Sequence, residues 1–295
     1  MKSKRKVELV IISDVHLGTY GCQAKELLRY LKSIQPQTLV LNGDIIDMWQ
    51  FSKNYFPKSH TKVLKYLLTL ISKGTKVYYV TGNHDEMLRK FAGFRLGTFE
   101  LVNKIVLEFD GKKAWIFHGD AFDVTMQYSK WLAKLGAIGY DLLILLNVFV
   151  NWCLERLGKE KMSFSKRVKN GVKSAVKFIN QFEMTAAEIA IEKGYDYVIC
   201  GHIHQPEHRT VTINGKSVVY LNSGDWIENL TSLEYNEGTW SIYNYLQAQK
   251  TAWENVVTAS SEEDEEEPET EVLNNKELFN NLLSELQVAA TRENK

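Results

Sequence analysis

Three observations predict that this 295-residue chain forms an α/β domain with a mainly parallel sheet. Through residue 120, apolar runs of strand length alternate with segments of helical periodicity, the pattern of βαβ units. Five apolar runs along the chain break off into Asp, His, Asn and Gly, as strands do when their carboxyl ends carry a site. After residue 194 the chain turns to short strands, some joined by Asn-Gly or Glu-Gly turn signals, which adds hairpins to the sheet.

The elements follow in order. VELVIIS (7–13) reads as a buried strand, and AKELLRYLKSI after it carries a helical pattern. TLVLNG (38–43) is the second strand, Thr61–Ser72 a helix, and KVYYVTG (76–82) the third strand. KIVLEF (104–109) and KAWIFHG (113–119) are two more. From Ala121 to Gly194 the chain reads as mostly helical. YDYVICG, HRTVTI, SVVYLNSG, SLEYN and TWSIYNY then return it to strands by residue 245. The expected organisation is one sheet-based domain in two parts, 1–120 and 195–246, interrupted by a helical insertion at 121–194 and followed by a tail at 247–295.

Composition is that of a globular protein, with chain enough for a substantial core in one or two domains. Cys22, Cys153 and Cys200 are too few and too scattered for a disulfide framework or a zinc-thiolate site, which suits a reducing, cytoplasmic setting. The apolar part of the start, MKSKRKVELVIIS, is too short for a signal peptide core and runs straight into Asp14. The net charge of zero conceals an asymmetry: residues 262–271 hold eight acids and no base, leaving a surplus of eight positive charges elsewhere. Part of that surplus lies between Arg156 and Lys177, with eight Lys or Arg against one Glu. Beyond the acidic run, Leu278, Phe279, Leu282, Leu283 and Leu286 fit one face of a helix that can dock on the body or bind a partner.

The polar endings carry the chemistry. They are Ser13-Asp14-Val15-His16, Gly43-Asp44, Gly82-Asn83-His84-Asp85, His118-Gly119-Asp120 and Gly201-His202-Ile203-His204, and they take in five of the seven histidines. A turn alone would explain the third, since Gly, Asn and Asp all favour turns. It does not explain five of the kind. Carboxylate, imidazole and amide oxygen without thiolate suit Mn²⁺, Fe²⁺, Zn²⁺ or Co²⁺. Asp14 and His16, like His202 and His204, would face one side of an extended segment. Seven ligands exceed one ion and suffice for two if a carboxylate bridges them. Two ions roughly 3.5–4 Å apart are suited to displacement at phosphorus.

The set DVH, GDIID, GNHDE, HGD and GHIH, in that order, resembles the calcineurin-like metallophosphoesterase family over about residues 7–245. The resemblance implies a four-layer αββα sandwich. It implies one metal on Asp14, His16, Asp44 and His204 and a second on Asp44, Asn83, His118 and His202, with Asp44 bridging. Mn²⁺ is the first expectation, with Fe²⁺, Zn²⁺, Co²⁺ or Mg²⁺ as alternatives. His84 falls where the family has an imidazole facing substrate, and Asp85 would orient it. Asp47 is weighed between a supporting role and a helix cap, Asn222 and Asp225 between the cleft and a turn. Asp120 and Asp123 are candidates to hydrogen-bond ligand histidines, while His60 and His208 read as surface residues.

Within the family, a helical insertion between HGD and GHIH is similar to that of the bacterial UDP-2,3-diacylglucosamine diphosphatases of lipid A synthesis, peripheral membrane enzymes that release UMP and an acylated sugar phosphate. The best-known branch of that group carries Arg where this chain has His84. The insertion's AIGYDLLILLNVFVNWCL (137–154) reads either as a buried helix or as an amphipathic lid element. Asp141, Asn147 and Asn151 speak against a spanning helix, and the basic residues that follow would be drawn to an anionic membrane. Three functions therefore stand open: a diphosphatase acting on the acylated UDP-sugar, a phosphatase or phosphodiesterase for a soluble nucleotide or phosphoprotein, and a non-catalytic scaffold. Specific nucleic-acid binding is not expected.

Overall fold

The computed structural model describes residues 4–49, 55–122 and 164–260, the side chains of 164–175 and 253–260 excepted. The apolar run 137–154, Asp123, the acidic run and the final amphipathic segment all lie outside the described residues, as does part of the basic cluster.

Two sheets organise the domain, as the family resemblance implies. The first contains β1 (Arg5–Ile12), β2 (Ile34–Asn42), β3 (Lys76–Val80), β4 (Arg95–Leu96), β5 (Phe99–Val102), β11 (Thr231–Asn236) and β12 (Thr239–Asn244) in the order β12-β11-β1-β2-β3-β5-β4. The second contains β6 (Lys104–Phe109), β7 (Lys112–Phe117), β8 (Tyr197–Cys200), β9 (Glu207–Ile213) and β10 (Lys216–Asn222) in the order β6-β7-β8-β10-β9. The parallel pairs form the centre of each sheet: β1, β2, β3 and β5 in the first, β7, β8 and β10 in the second. Antiparallel strands complete the edges.

Both faces of β1 are buried, which is why it reads as an unbroken apolar run rather than an alternating one. Val10 and Ile12 belong to one core with Leu27 and Leu31 of α1 (Ala24–Ser33) and Val63, Leu67 and Leu70 of α2 (Lys58–Ser72). Leu9 and Ile11 point the other way, into a core shared with Ala114, Ile116, Ile199 and Leu221 of the second sheet. That sheet's outer face meets Phe182, Ala186, Ala187 and Ala190 of α3 (Phe164–Glu192). Helices, sheet, sheet and helix make the four αββα layers. The last third of α3 is thus a layer of the sheet domain. A further helix, Tyr245–Ser260, follows β12.

The hairpin signals are realised. Asn214-Gly215 joins β9 to β10 and Glu237-Gly238 joins β11 to β12, all four residues at positive φ as type I′ turns require. Asp110-Gly111 makes a third such turn between β6 and β7, unanticipated from the sequence.

Other differences have local causes. β2 starts at Ile34, four residues before the apolar run, because Arg5, Lys6 and Val7 pair with Ile34, Gln35 and Pro36. Pro36 is tolerated there because β3 joins β2 only from Thr38, so the missing N–H leaves no ladder bond unmade. The β4–β5 hairpin was not expected either; β4 is two exposed residues and β5 four, too short to show a period. His60 is buried, not superficial: its Nδ1 accepts from the Gly18 N–H at 2.9 Å, and burial holds its pKa down. His208 is exposed, as expected.

Candidate metal centre

The site lies at the carboxyl ends of the parallel strands of both sheets, where β1, β2, β3, β7 and β8 deliver their polar endings. Backbone bonds stitch those endings together: Asp14 N to Gly43 O (3.1 Å), His16 N to Asp44 O (2.9 Å) and Gly201 N to His118 O (2.9 Å). Asp14, His16, Asp44, His202 and His204 all sit at φ between 52° and 68°. The two-residue spacing therefore does not work through an extended strand, as the sequence suggested. Each candidate ligand pair sits in a tight, left-handed turn, a conformation non-glycine residues adopt at a cost.

Gly82 shows why a side chain is excluded beside the ligands. A Cβ there would lie 2.7 Å from the Asp44 backbone nitrogen and collide with Asp44 Oδ1. The glycine makes room for the carboxylate itself.

Three groups of side chains bring potential ligand atoms within 4.8 Å of one another: Asp14, His16 and His204; His16, Asp44 and His84; and Asp44, His118 and His202. Asp44 faces both halves of the site, with Oδ2 3.2 Å from His118 Nε2 and 4.0 Å from His16 Nε2. Asp14 Oδ1 is 3.3 Å from His204 Nε2, and Asp14 Oδ2 accepts from the His202 backbone N–H at 3.0 Å.

The donor atoms fit cations. Among the described residues, His16 Nε2, His118 Nε2 and Asn83 Oδ1 are buried and have no hydrogen-bond partner, a state that proteins seldom leave without a reason. His118 is the clearest case. Its Nδ1 lies 2.9 Å from the Asn42 carbonyl, which can only accept, so Nδ1 carries the proton. In the neutral ring Nε2 then turns a lone pair toward the Asp44 carboxylate, which is repulsive unless a positive charge lies between them. Electrostatics agree. Burial disfavours charge on His118, yet Asp44 and Asp14 push its pKa well above the imidazole range. Against the same burial penalty, Asp14 and Asp225 push His204 up to about 10. Burial would raise Asp14 and Asp44, but the surrounding histidines hold both carboxyls below their usual range. The field favours positive charge at these nitrogens, whether a proton or a metal supplies it.

Carboxylates and carbonyls behind the candidate ligands fix their orientation, as is usual at metal sites. Asp47 Oδ2 lies 3.1 Å from His16 Nδ1 and 2.8 Å from His84 Nδ1, and its Oδ1 accepts from the Trp49 N–H at 3.1 Å. Asp225 Oδ2 is 3.4 Å from His204 Nδ1, while Oδ1 accepts from the N–H groups of Ile227, Glu228 and Asn229. Both turn and cleft readings of Asp225 therefore hold.

One expected role moves. The carboxylate that orients His84 is Asp47, not Asp85. Asp85 is buried beneath the loop and accepts from Gly82 N (2.6 Å), Ile45 N (3.0 Å) and Tyr79 Oη (2.6 Å). Adjacency in sequence suggested the pairing with His84; the backbone turns the two side chains apart. Asp120 pairs with Arg89, and Asn222 bridges the Gly201 carbonyl and the Gly224 N–H, a loop-holding role. Trp49, whose ring lies tilted against His84 with centroids 4.7 Å apart, was not singled out in the sequence, where a lone Trp after GDIID carries no motif.

The family model for calcineurin-like phosphoesterases matches residues 7–206. The chain belongs to that family. As a calcineurin-like phosphoesterase it is a metal-dependent hydrolase of phosphoesters, and the side chains just described are its candidate ligands for divalent ions. It is similar to the UDP-2,3-diacylglucosamine hydrolase of Aliivibrio fischeri, 24% identical over 80% of this chain and 97% of that protein. The enzyme of the same description from Photorhabdus laumondii is 26% identical, over 74% of this chain and 90% of its own length. An archaeal phosphodiesterase structure aligns with 80% of this chain and 98% of its own, at TM-score 0.39 and 15% identity. No helix among the described residues is long and apolar enough to cross a membrane.

Proposed function

We propose that this phosphoesterase cleaves the diphosphate of UDP-2,3-diacylglucosamine, releasing UMP and the acylated sugar phosphate, at a two-metal centre. The observation that carries the reading is coverage: relatives described as UDP-2,3-diacylglucosamine hydrolases align with about four-fifths of the chain and nearly their whole length. In this reading one ion is held by Asp14, His16, Asp44 and His204 and the other by Asp44, Asn83, His118 and His202, with Mn²⁺ the ion to try first. Bound there, the ions would supply Lewis-acid stabilisation of the charge that builds on the phosphoryl oxygens.

The chain's own groups do the rest. Asn83 contributes a neutral oxygen, so the ligand set carries only two carboxylates where a doubly anionic diphosphate must enter. His84 is partly exposed, and Asp47 occupies its Nδ1, which leaves Nε2 as the nitrogen offered to a substrate. Burial works against its charge, but Asp47 and Asp44 raise its pKa above the ordinary imidazole value, which favours the protonated form that can protonate the leaving oxygen. The acylated substrate implies contact with an anionic membrane surface, with the insertion as the element that makes it. The deciding experiment is a turnover screen of the Mn²⁺-loaded protein on the acylated UDP-sugar, soluble nucleotides and a phosphoprotein. Preference for the acylated UDP-sugar by at least tenfold in kcat/KM is expected. Preference for a soluble nucleotide or phosphoprotein would overturn the assignment while leaving the chemistry in place.

A further inference from the structure

Trp49 occupies an unusual position for a large apolar side chain. It is 51% exposed, yet its backbone and ring are both tied to the reacting end of the site. Its N–H donates to Asp47 Oδ1 at 3.1 Å, and Asp47 is the carboxylate that holds His84. Its indole lies against the His84 imidazole, centroids 4.7 Å apart and planes 32° from parallel. His16 closes the other side of His84 edge-on, at 4.6 Å and 82°. One face of the indole is therefore spent on His84, and about half of the residue remains open to solvent beside the group that meets the substrate.

An exposed Trp face costs hydration and gains nothing in the free protein. Burying it against a flat ring recovers apolar contact and dispersion, and this holds for any base because every base has a π-face. A sugar or acyl chain offers C–H groups but no π-face to pair with it.

We propose that Trp49 is a specificity-determining residue whose open face stacks the nucleobase of a nucleoside phosphate while the phosphate lies at His84. The inference rests on a nucleotide-linked substrate, as argued above, but not on its acyl groups. A second consequence is economical: Asp47 fixes the proton donor and the base platform with one carboxylate, so phosphate and base are placed in one frame.

The test is calorimetric binding to the full, Mn²⁺-loaded chain, comparing UMP, ribose 5-phosphate and glucose 1-phosphate for wild type, Trp49→Ala and Trp49→Phe. Wild type should bind UMP about 5- to 150-fold tighter than ribose 5-phosphate, the range expected for one stacked base. Trp49→Ala should bring that ratio to within about threefold of unity, and Trp49→Phe, which keeps a flat ring, should retain a clear preference. Equal affinity for ribose 5-phosphate across the three proteins would show the phosphate site intact. A UMP preference that survives in Trp49→Ala, or a wild type with none, overturns the proposal. So does a loss confined to glucose 1-phosphate, which would make the indole a sugar platform. Failure of the acylated UDP-sugar as a substrate leaves these ratios untouched, so the two readings fail separately.

Discussion

Replacing Asp47 by Asn probes the centre without changing a single candidate ligand. The carboxylate accepts on both oxygens: Oδ2 from the Nδ1–H groups of His16 and His84, Oδ1 from the Trp49 N–H. An amide has one acceptor and one NH₂, so in either orientation it sets donor against donor on one side. It also turns two charge-assisted bonds into neutral ones. A bond to a charged group is worth about 1.5–3 kcal/mol and a neutral one about 0.5–1.5, so each imidazole loses roughly 1–1.5 kcal/mol, or about tenfold. The His16 share should appear as about tenfold weaker metal binding, and the His84 share as about tenfold lower kcat, near 10² in kcat at limiting metal. Steady-state kinetics on a phosphodiester with a poor alkoxide leaving group, which needs the proton, at limiting and saturating Mn²⁺ separate the two, because saturating metal restores only the first. The pH profile adds a sign. Asp47 raises the His84 pKa, and the protonated imidazole is lost as pH rises through it. In the variant that pKa drops, so the alkaline limb of kcat should move to lower pH. Wild-type kcat, metal affinity and alkaline limb in Asp47→Asn would refute the reasoning.

Two further substitutions separate scaffold from chemistry. Asp85→Ala leaves Gly82 N, Ile45 N and Tyr79 Oη without their buried acceptor, at about 1–3 kcal/mol each. The melting temperature should fall by roughly 6–20 °C, well beyond the change in Asp47→Asn; an unchanged Tm would remove the scaffold role. Gly82→Ala should instead strike the centre directly and displace Asp44, because the new methyl meets both its carboxylate and, at 2.7 Å, its backbone nitrogen. Metal content by elemental analysis should drop toward zero, and two bound metals per chain with full turnover would show that Asp44 tolerates the intrusion.

Much of this centre was legible because its residue types are rare at strand ends and recur there five times. His16, Asp44, Asn83, His118, His202 and His204 could be read from pattern because each follows an apolar run whose direction and length are themselves readable. Two things were not legible, for one physical reason. The division of strands between two sheets depends on pairings such as Ala114 with Tyr197, more than eighty residues apart, and local sequence does not encode which distant strand a run will join. The partner of His84 is a contact of the same kind. Asp85 is adjacent to it in sequence and Asp47 is 37 residues away, yet Asp47 lies at Nδ1.

His84 and Asp85 diverge without any left-handed residue, since Asp85 (φ −117°) already leads into a short 3₁₀ helix, Glu86–Phe91; at the candidate ligand turns the alternation is lost differently. A backbone held at positive φ by a ligand cannot also present its neighbours on a regular face, since the period-2 alternation of a strand ends where the left-handed residue begins. Asp14, His16, Asp44, His202 and His204 all break the alternation in this way. The strain that lets two carboxylates and a set of imidazoles converge on a small volume also scrambles the directions of the residues beside them. Supporting roles at such a centre therefore follow contacts through space, and the residues to suspect are buried carboxylates from other strands: Asp47 behind His16 and His84, and Asp225 behind His204. Conversely, a carboxylate next to a ligand in sequence is free to brace the loop, as Asp85 does by accepting from Gly82, Ile45 and Tyr79.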